Sequence, residues 1–346
     1  MRQLAAFLVL IVARLGVAAE TPAEPSPSED ESQSTQSQDA YFASPQWKGQ
    51  SLLGSDRFAE LDALVAEYVK ADTRGPDGRQ ALYLLTGTLS EWLERWGEES
   101  DQDQQARLQR WQDEIPDSPF QPVVEALRLR MTAWRARGTG YSSSVTPEGW
   151  QMFEQRNQKA WNYLMAHKAR ASTIPTWYEI AIDVGSDLAM DDQELRKVFE
   201  EGVRRHPGYY GIYFAYERRF APRWGGNWNT VDAFIVEQSD ARTNTEGDIL
   251  YARLYWFADQ LAGQPPDFFE ASDVRWARMR RGFERLLLAF PEGVRNQASF
   301  AAFACRANDA TTYAKLRPKV DLASFRDVAP DGISIEVCDA RFMKKV

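Results

Sequence analysis

Residues 58–70 read Phe-Ala-Glu-Leu-Asp-Ala-Leu-Val-Ala-Glu-Tyr-Val-Lys, and their spacing decides the fold class. Phe58, Leu61, Leu64, Val65 and Tyr68 recur at i, i+3, i+6, i+7 and i+10, which gathers them on one face of a 3.6-residue helix. Leu82, Leu85, Leu89, Trp92 and Trp96 repeat the pattern in the next segment. Start signals agree with the periodicity. Ser118-Pro119-Phe120-Gln121 has the order of a capping box, and Thr146-Pro147-Glu148, Asp191 with Glu194, and Asn229 with Asp232 resemble further helix N-termini. Period-two alternation occurs only at Ile333, Ile335 and Val337, which predicts a short extended tail. The expectation is an all-α chain ending in that tail.

The 346 residues are 44% hydrophobic, enough for a sizeable core, and carry a net charge of −9 with two His, two Cys and 12 Trp. That charge argues against a nucleic-acid binder. The His and Cys counts leave no zinc motif, and no other cofactor motif is found. His167 and His206 have no second ligand at metal spacing, and His206 beside Pro207 reads as a helix C-terminal residue.

At the N-terminus, Arg2 precedes the apolar run Leu4–Val12, and Val17-Ala18-Ala19 supplies small residues before Glu20. This predicts a secretory signal over 1–19. The run is short of the ~20 residues needed to span a bilayer and Arg14 follows it, so a retained inner-membrane anchor is the alternative and the only route to membrane contact. Export points to a bacterial periplasm or to secretion. Residues 20–48 are expected to form an acidic Pro/Ser/Gln tether: 20–45 contain six acidic residues and no Lys or Arg.

The Gly- and Ser-rich stretch 138–146 separates an expected N-terminal helical region, 49–138, from a longer one, 147–320, with the tail over 321–346. Within the longer region, Phe199–Pro207 and Phe283–Pro291 both read Phe-Glu-x6-Pro, 84 residues apart, and each precedes an aromatic-rich helical pattern. The offset would hold two α-hairpins of roughly 40 residues stacked as a TPR-like superhelix.

His206–Trp228 reads HPGYYGIYFAYERRFAPRWGGNW. It resembles an uncharacterised bacterial family, one of the domain-of-unknown-function families, whose members are exported or membrane-associated and TPR-like. Their recurrent feature is a Tyr-rich helix ending in Pro-Arg-Trp-Gly-Gly, matched here by Pro222, Arg223, Trp224, Gly225 and Gly226. The resemblance covers roughly 147–310 and implies an architecture without an assigned activity.

Catalytic motifs are absent: there is no Gly-x-Ser-x-Gly and no phosphate-binding glycine loop, and Asp191-Asp192 suits a helix N-terminus. The arginine runs Arg128–Arg137 and Arg275–Arg285 read as solvated helix faces with partners such as Glu284. Arg223, Trp224, Gly225, Gly226 and Trp228 form the candidate binding corner, an aromatic-and-Arg composition typical of interface hot spots; the competing reading is a packed inter-hairpin corner. The favoured function is an exported scaffold binding a protein or peptide. The alternatives are an all-α envelope hydrolase with a carboxylate acid/base and a structural protein with no site. Cys305 and Cys338, an even pair in an exported chain, are expected to form a disulfide that straps the tail to the last hairpin.

Overall fold

The computed structural model describes residues 44–95, 101–138 and 140–343, and among them the chain is all-α with no strand. The expected signal, most of the expected tether, Trp96 and Thr139 lie outside the described residues. The chain divides into two compact units: 44–73 with 80–212, and 74–79 with 213–343.

The N-terminal unit contains α1 (Pro45–Gly54), α2 (Phe58–Ala71), α3 (Ala81–Arg95), α4 (Asp101–Glu114), α5 (Gln121–Arg137), α6 (Pro147–Ala166), the short α7 (Lys168–Ala171), α8 (Thr176–Asp187) and α9 (Asp192–Arg205). The first of these starts inside the span expected to be tether. Ser44 accepts from the Trp47 N–H at 3.2 Å and Pro45 takes the first turn, so capping chemistry carries the helix beyond the compositional boundary. In α2 four residues of the predicted face, Phe58, Leu61, Val65 and Tyr68, are buried, and the fifth, Leu64, is half-buried. Phe58 stacks on Trp111 at 5.3 Å, and Phe120 meets the same indole edge-on.

Thr146 caps α6, accepting from Gly149 N, and Asp191 caps α9 through Gln193 N. Helices α5 and α6 pack along each other, so 138–146 is the turn of a hairpin within this unit, and the division of the chain falls instead at Tyr213. Composition marks the turn, but long-range packing decides where compact units end.

Helix α10 (Tyr210–Arg218) spans the division. The C-terminal unit continues with α11 (Trp228–Asp240), α12 (Gly247–Leu261), α13 (Phe268–Ala271), α14 (Trp276–Ala289), α15 (Val294–Arg306), α16 (Ala310–Leu316), α17 (Leu322–Arg326) and α18 (Ile335–Phe342). Its aromatic core includes Phe268, Phe283, Phe300 and Phe303, the last two packed on Phe283 at 5.0 and 5.8 Å. The loop 74–79 belongs to this unit: Arg253 Nη2 and Asn296 Nδ2 each donate to the Asp77 carbonyl at 3.0 Å. Both Phe-Glu-x6-Pro segments end a helix, α9 at Arg205 and α14 at Ala289, and their leading phenylalanines, Phe199 and Phe283, are buried.

Two expectations need correction. Helix α11 is capped by Asn227, whose side chain accepts from Thr230 N at 3.0 Å, two residues before the expected Asn229. Within the tail expected over 321–346, the described residues form two helices, Leu322–Arg326 and Ile335–Phe342, and no strand. Ser334 accepts from Val337 N, and Ile335 and Cys338 turn inward while Val337 is 49% exposed, a period of three. A strand there would need a neighbour to satisfy its backbone, whereas a helix satisfies its own. Tyr313 and Arg317 fix α18 by donating to Asp339 at 2.8 and 2.9 Å.

The Cys305–Cys338 disulfide is present, with Cα atoms 5.9 Å apart, and ties α15 to α18. Closing a loop with a sequence separation of 33 contributes about 3.5–4 kcal/mol in the chain-entropy account.

Candidate functional site

At the predicted corner, Pro222–Trp224 forms a single 3-10 turn. Gly225 follows at φ +91°, in the left-handed region, and a Cβ on Gly226 would meet the Phe220 carbonyl oxygen at 2.0 Å. Both glycines are therefore demanded by the backbone. Trp228 is half-buried, edge-on to Phe268 at 5.7 Å. Trp224 is also half-buried, and its indole Nε1–H is buried without an acceptor among the described residues. The side chain of Arg223 lies outside what the structure describes. The corner is thus a backbone feature whose two rings are only partly exposed.

The arginine runs prove largely structural, and their inner members are buried rather than solvated. Arg128 pairs with Glu125 and Asp101 at 2.7 and 3.0 Å. Arg130, two residues on and therefore on the other side of α5, pairs with Asp187 at 2.7 Å and Asp183 at 3.4 Å. Burial works against its charge, but the carboxylates of Asp187 and Asp183 win and hold the guanidinium protonated. In the second run, Arg278 pairs with Asp240 and Asp248, and Arg280 with Asp309. Sequence patterning places arginines on a face; only the neighbouring helix decides whether carboxylates meet them.

Arg137 is the exception. It ends α5, is 4% exposed, and has no carboxylate partner among the described residues. Its guanidinium lies between the rings of Trp134, at 5.2 Å, and Trp150, at 5.0 Å. Nη1 donates to the carbonyls of Gly138 and Gly140, both at 3.1 Å, while Nε and Nη2 are buried with no acceptor among the described residues. Burial lowers its pKa, against the pull of Asp187. Trp150 is 36% exposed, and Tyr141, next to the Gly140 carbonyl that Arg137 binds, is 44% exposed. Trp150 also packs edge-on against Phe153, which fixes its ring. This surface escaped the sequence reading because its parts lie on two helices; a helix ending Trp-x-x-Arg, a Gly-rich turn and an early Trp were the signal available.

These helices fall inside a stretch, residues 38–181, that matches a family model. It is a domain of unknown function, DUF4034. The expected likeness to a domain-of-unknown-function family is found, but on residues N-terminal to those that suggested it. The DUF4034 match contains Trp134, Arg137 and Trp150 and ends before the Pro222–Trp228 corner. No curated protein and no solved structure matches the chain.

A second feature, within the N-terminal unit, is a cavity of about 250 Å³ where the end of α2 and the start of α3 meet the end of α9. Tyr68, Asp72 and Gln80, from the DUF4034 stretch, line it together with Arg205, His206 and Tyr209. Gln80 braces one wall, donating to Asp72 at 2.8 Å and accepting from Tyr210 N at 3.1 Å. Tyr209 donates to Glu179 at 2.8 Å; burial and that carboxylate raise its pKa well above the ordinary tyrosine value. His206 closes α9, as its place before Pro207 suggested, and also faces this cavity. Among the described residues no group of His, Cys, Asp and Glu side chains could hold a metal ion.

Proposed function

We propose that the chain is an exported helical scaffold of the cell envelope, its α-hairpins stacked in a TPR-like array, whose DUF4034 domain binds a protein or peptide partner. The observation that carries this reading is the surface around Arg137. A guanidinium fixed between two indoles, with exposed Trp150 and Tyr141 beside it, combines the residue types that dominate binding energy at interfaces. Its rings are held by packing before any partner arrives, which lowers the entropy cost of association. Asp183 and Asp187, neighbouring carboxylates that a hydrolase could use as an acid/base pair, are spent on Arg130. The signal-like segment 1–19 and the acidic stretch after it support an envelope address.

The test is cross-linking in the native host from a photoreactive residue at position 141, followed by the same capture with Trp150→Ala. A reproducible adduct lost in the variant is expected. An adduct pattern unchanged by Trp150→Ala would remove this surface from the account. Mass spectrometry of the native protein is expected to find Glu20 at the N-terminus; an intact Met1 on soluble cytosolic protein would end the export reading.

A further inference from the structure

The cavity at the end of α9 carries two polar edges that the fold leaves unused. Arg205 lines it, and only one corner of its guanidinium is engaged. Nη1 donates to Ser172 Oγ and to the Tyr178 hydroxyl, both at 2.9 Å, and lies 3.6 Å from Glu201. The Nε–Nη2 edge has no partner among the described residues. That edge presents two parallel N–H groups, the geometry that grips a carboxylate with two hydrogen bonds.

His206, the next residue, lines the same cavity. Its Nε2 lies 3.3 Å from the Ser172 carbonyl oxygen, which can only accept, so Nε2 bears the proton and Nδ1 offers a lone pair. Burial, with the charge of Arg205, lowers the imidazole pKa and keeps the ring neutral at pH 7. No described residue donates to Nδ1. Consecutive residues that line the cavity thus keep a two-pronged donor, on a side chain 40% exposed, and a single acceptor, neither with a partner among the described residues.

The other walls set size and polarity. Tyr68, Val69, Leu82 and Pro175 supply apolar surface, and Asp72, braced by Gln80, adds a carboxylate that favours the donor-bearing end of a ligand. At about 250 Å³ the space equals roughly eight waters at about 30 Å³ each, the scale of one or two amino-acid residues.

We propose that this cavity binds a carboxylate bearing an N–H donor on its α-carbon, with the carboxylate on the Nε–Nη2 edge of Arg205 and the N–H directed to His206 Nδ1. A free α-amino acid and the C-terminal residue of a peptide both present this chemistry. The site is independent of the Trp150 surface and stands or falls without it.

Calorimetric titration of the full chain with Ala-Ala-Ala, its C-terminal amide and free alanine separates the sources. Saturable binding of the tripeptide acid alone identifies a peptide C-terminus; binding of alanine alone identifies a free amino acid; binding of both acids supports the shared chemistry. In each case the amide is expected to bind at least about tenfold more weakly. Arg205→Lys keeps the charge but loses the fork, and is expected to weaken acid binding about tenfold. His206→Phe keeps a ring beside Tyr178 and removes the acceptor, with a several-fold loss expected. Melting temperatures of both variants report whether the fold is intact. Equal affinity for acid and amide, no saturable binding of any probe, or undiminished binding by a folded Arg205→Lys chain would overturn the proposal.

Discussion

The Pro222–Trp228 corner and the Trp134–Trp150 turn are built from the same residue types: tryptophan, arginine and glycine. They differ in what those residues do. At the corner, Gly226 has no room for a side chain and Trp228 leans on Phe268, so the composition serves the path of the backbone. At the turn, Trp150 and Tyr141 stay exposed, and a buried arginine keeps two nitrogens without acceptors among the described residues. Composition marks both places as unusual. Steric room and hydrogen-bond satisfaction separate a place built for folding from one built at a cost to folding.

Substitutions test that contrast. The largest effect is expected from Gly226→Ala: its Cβ would lie 2.0 Å from a carbonyl oxygen, backbone that cannot step aside. Thermal denaturation should register a loss of about 3 kcal/mol. A variant as stable as the parent would show that the corner relaxes freely.

Trp228→Ala should cost about 2–3 kcal/mol, below the 3–5 kcal/mol range for a fully buried ring because this one is half-exposed. Trp224→Ala should cost less, about 1–2 kcal/mol, since its indole N–H is already unpaired. Cross-linking from position 141 should be unchanged in both. Loss of the adduct in a stable Trp224→Ala chain would move the recognition surface to the corner.

Arg137→Leu sets two terms against each other. It forfeits two ring contacts worth about 0.5–1 kcal/mol each and two bonds to carbonyls, but relieves two buried donors that lack acceptors. The net change in denaturant midpoint should correspond to no more than about 1 kcal/mol. A cost above about 2 kcal/mol would make Arg137 a fastener of the 138–146 turn and erase the contrast with the corner. The smallest stability effect, below about 1 kcal/mol, belongs to Trp150→Ala, which should nevertheless abolish the adduct.

The helices were legible in the sequence where one element contains its own reason. Phe58 to Tyr68 declare their face, and Thr146 and Asp191 declare their starts, because period and cap involve residues within a few positions. The tail failed at the same level. Ile333, Ile335 and Val337 alternate, but Ser334 caps a helix across them, and three residues of alternation are too few to decide between the two periods. For the arginines, spacing said which side of α5 they occupy; it could not say that Asp183 and Asp187 would meet Arg130 and that Arg137 would find rings and backbone carbonyls but no described carboxylate.

By itself, then, the sequence determined the all-α class, the helix starts at Thr146 and Asp191, the pairing of its only two cysteines and the demand for glycine at the corner. Each follows from local geometry or from counting. The tertiary structure alone decided which arginine is spent and which is left over, and that Arg205 and His206 share a cavity with Asp72 and Gln80. Those outcomes depend on side chains from helices far apart in the chain, and on which partners remain after packing has satisfied the rest.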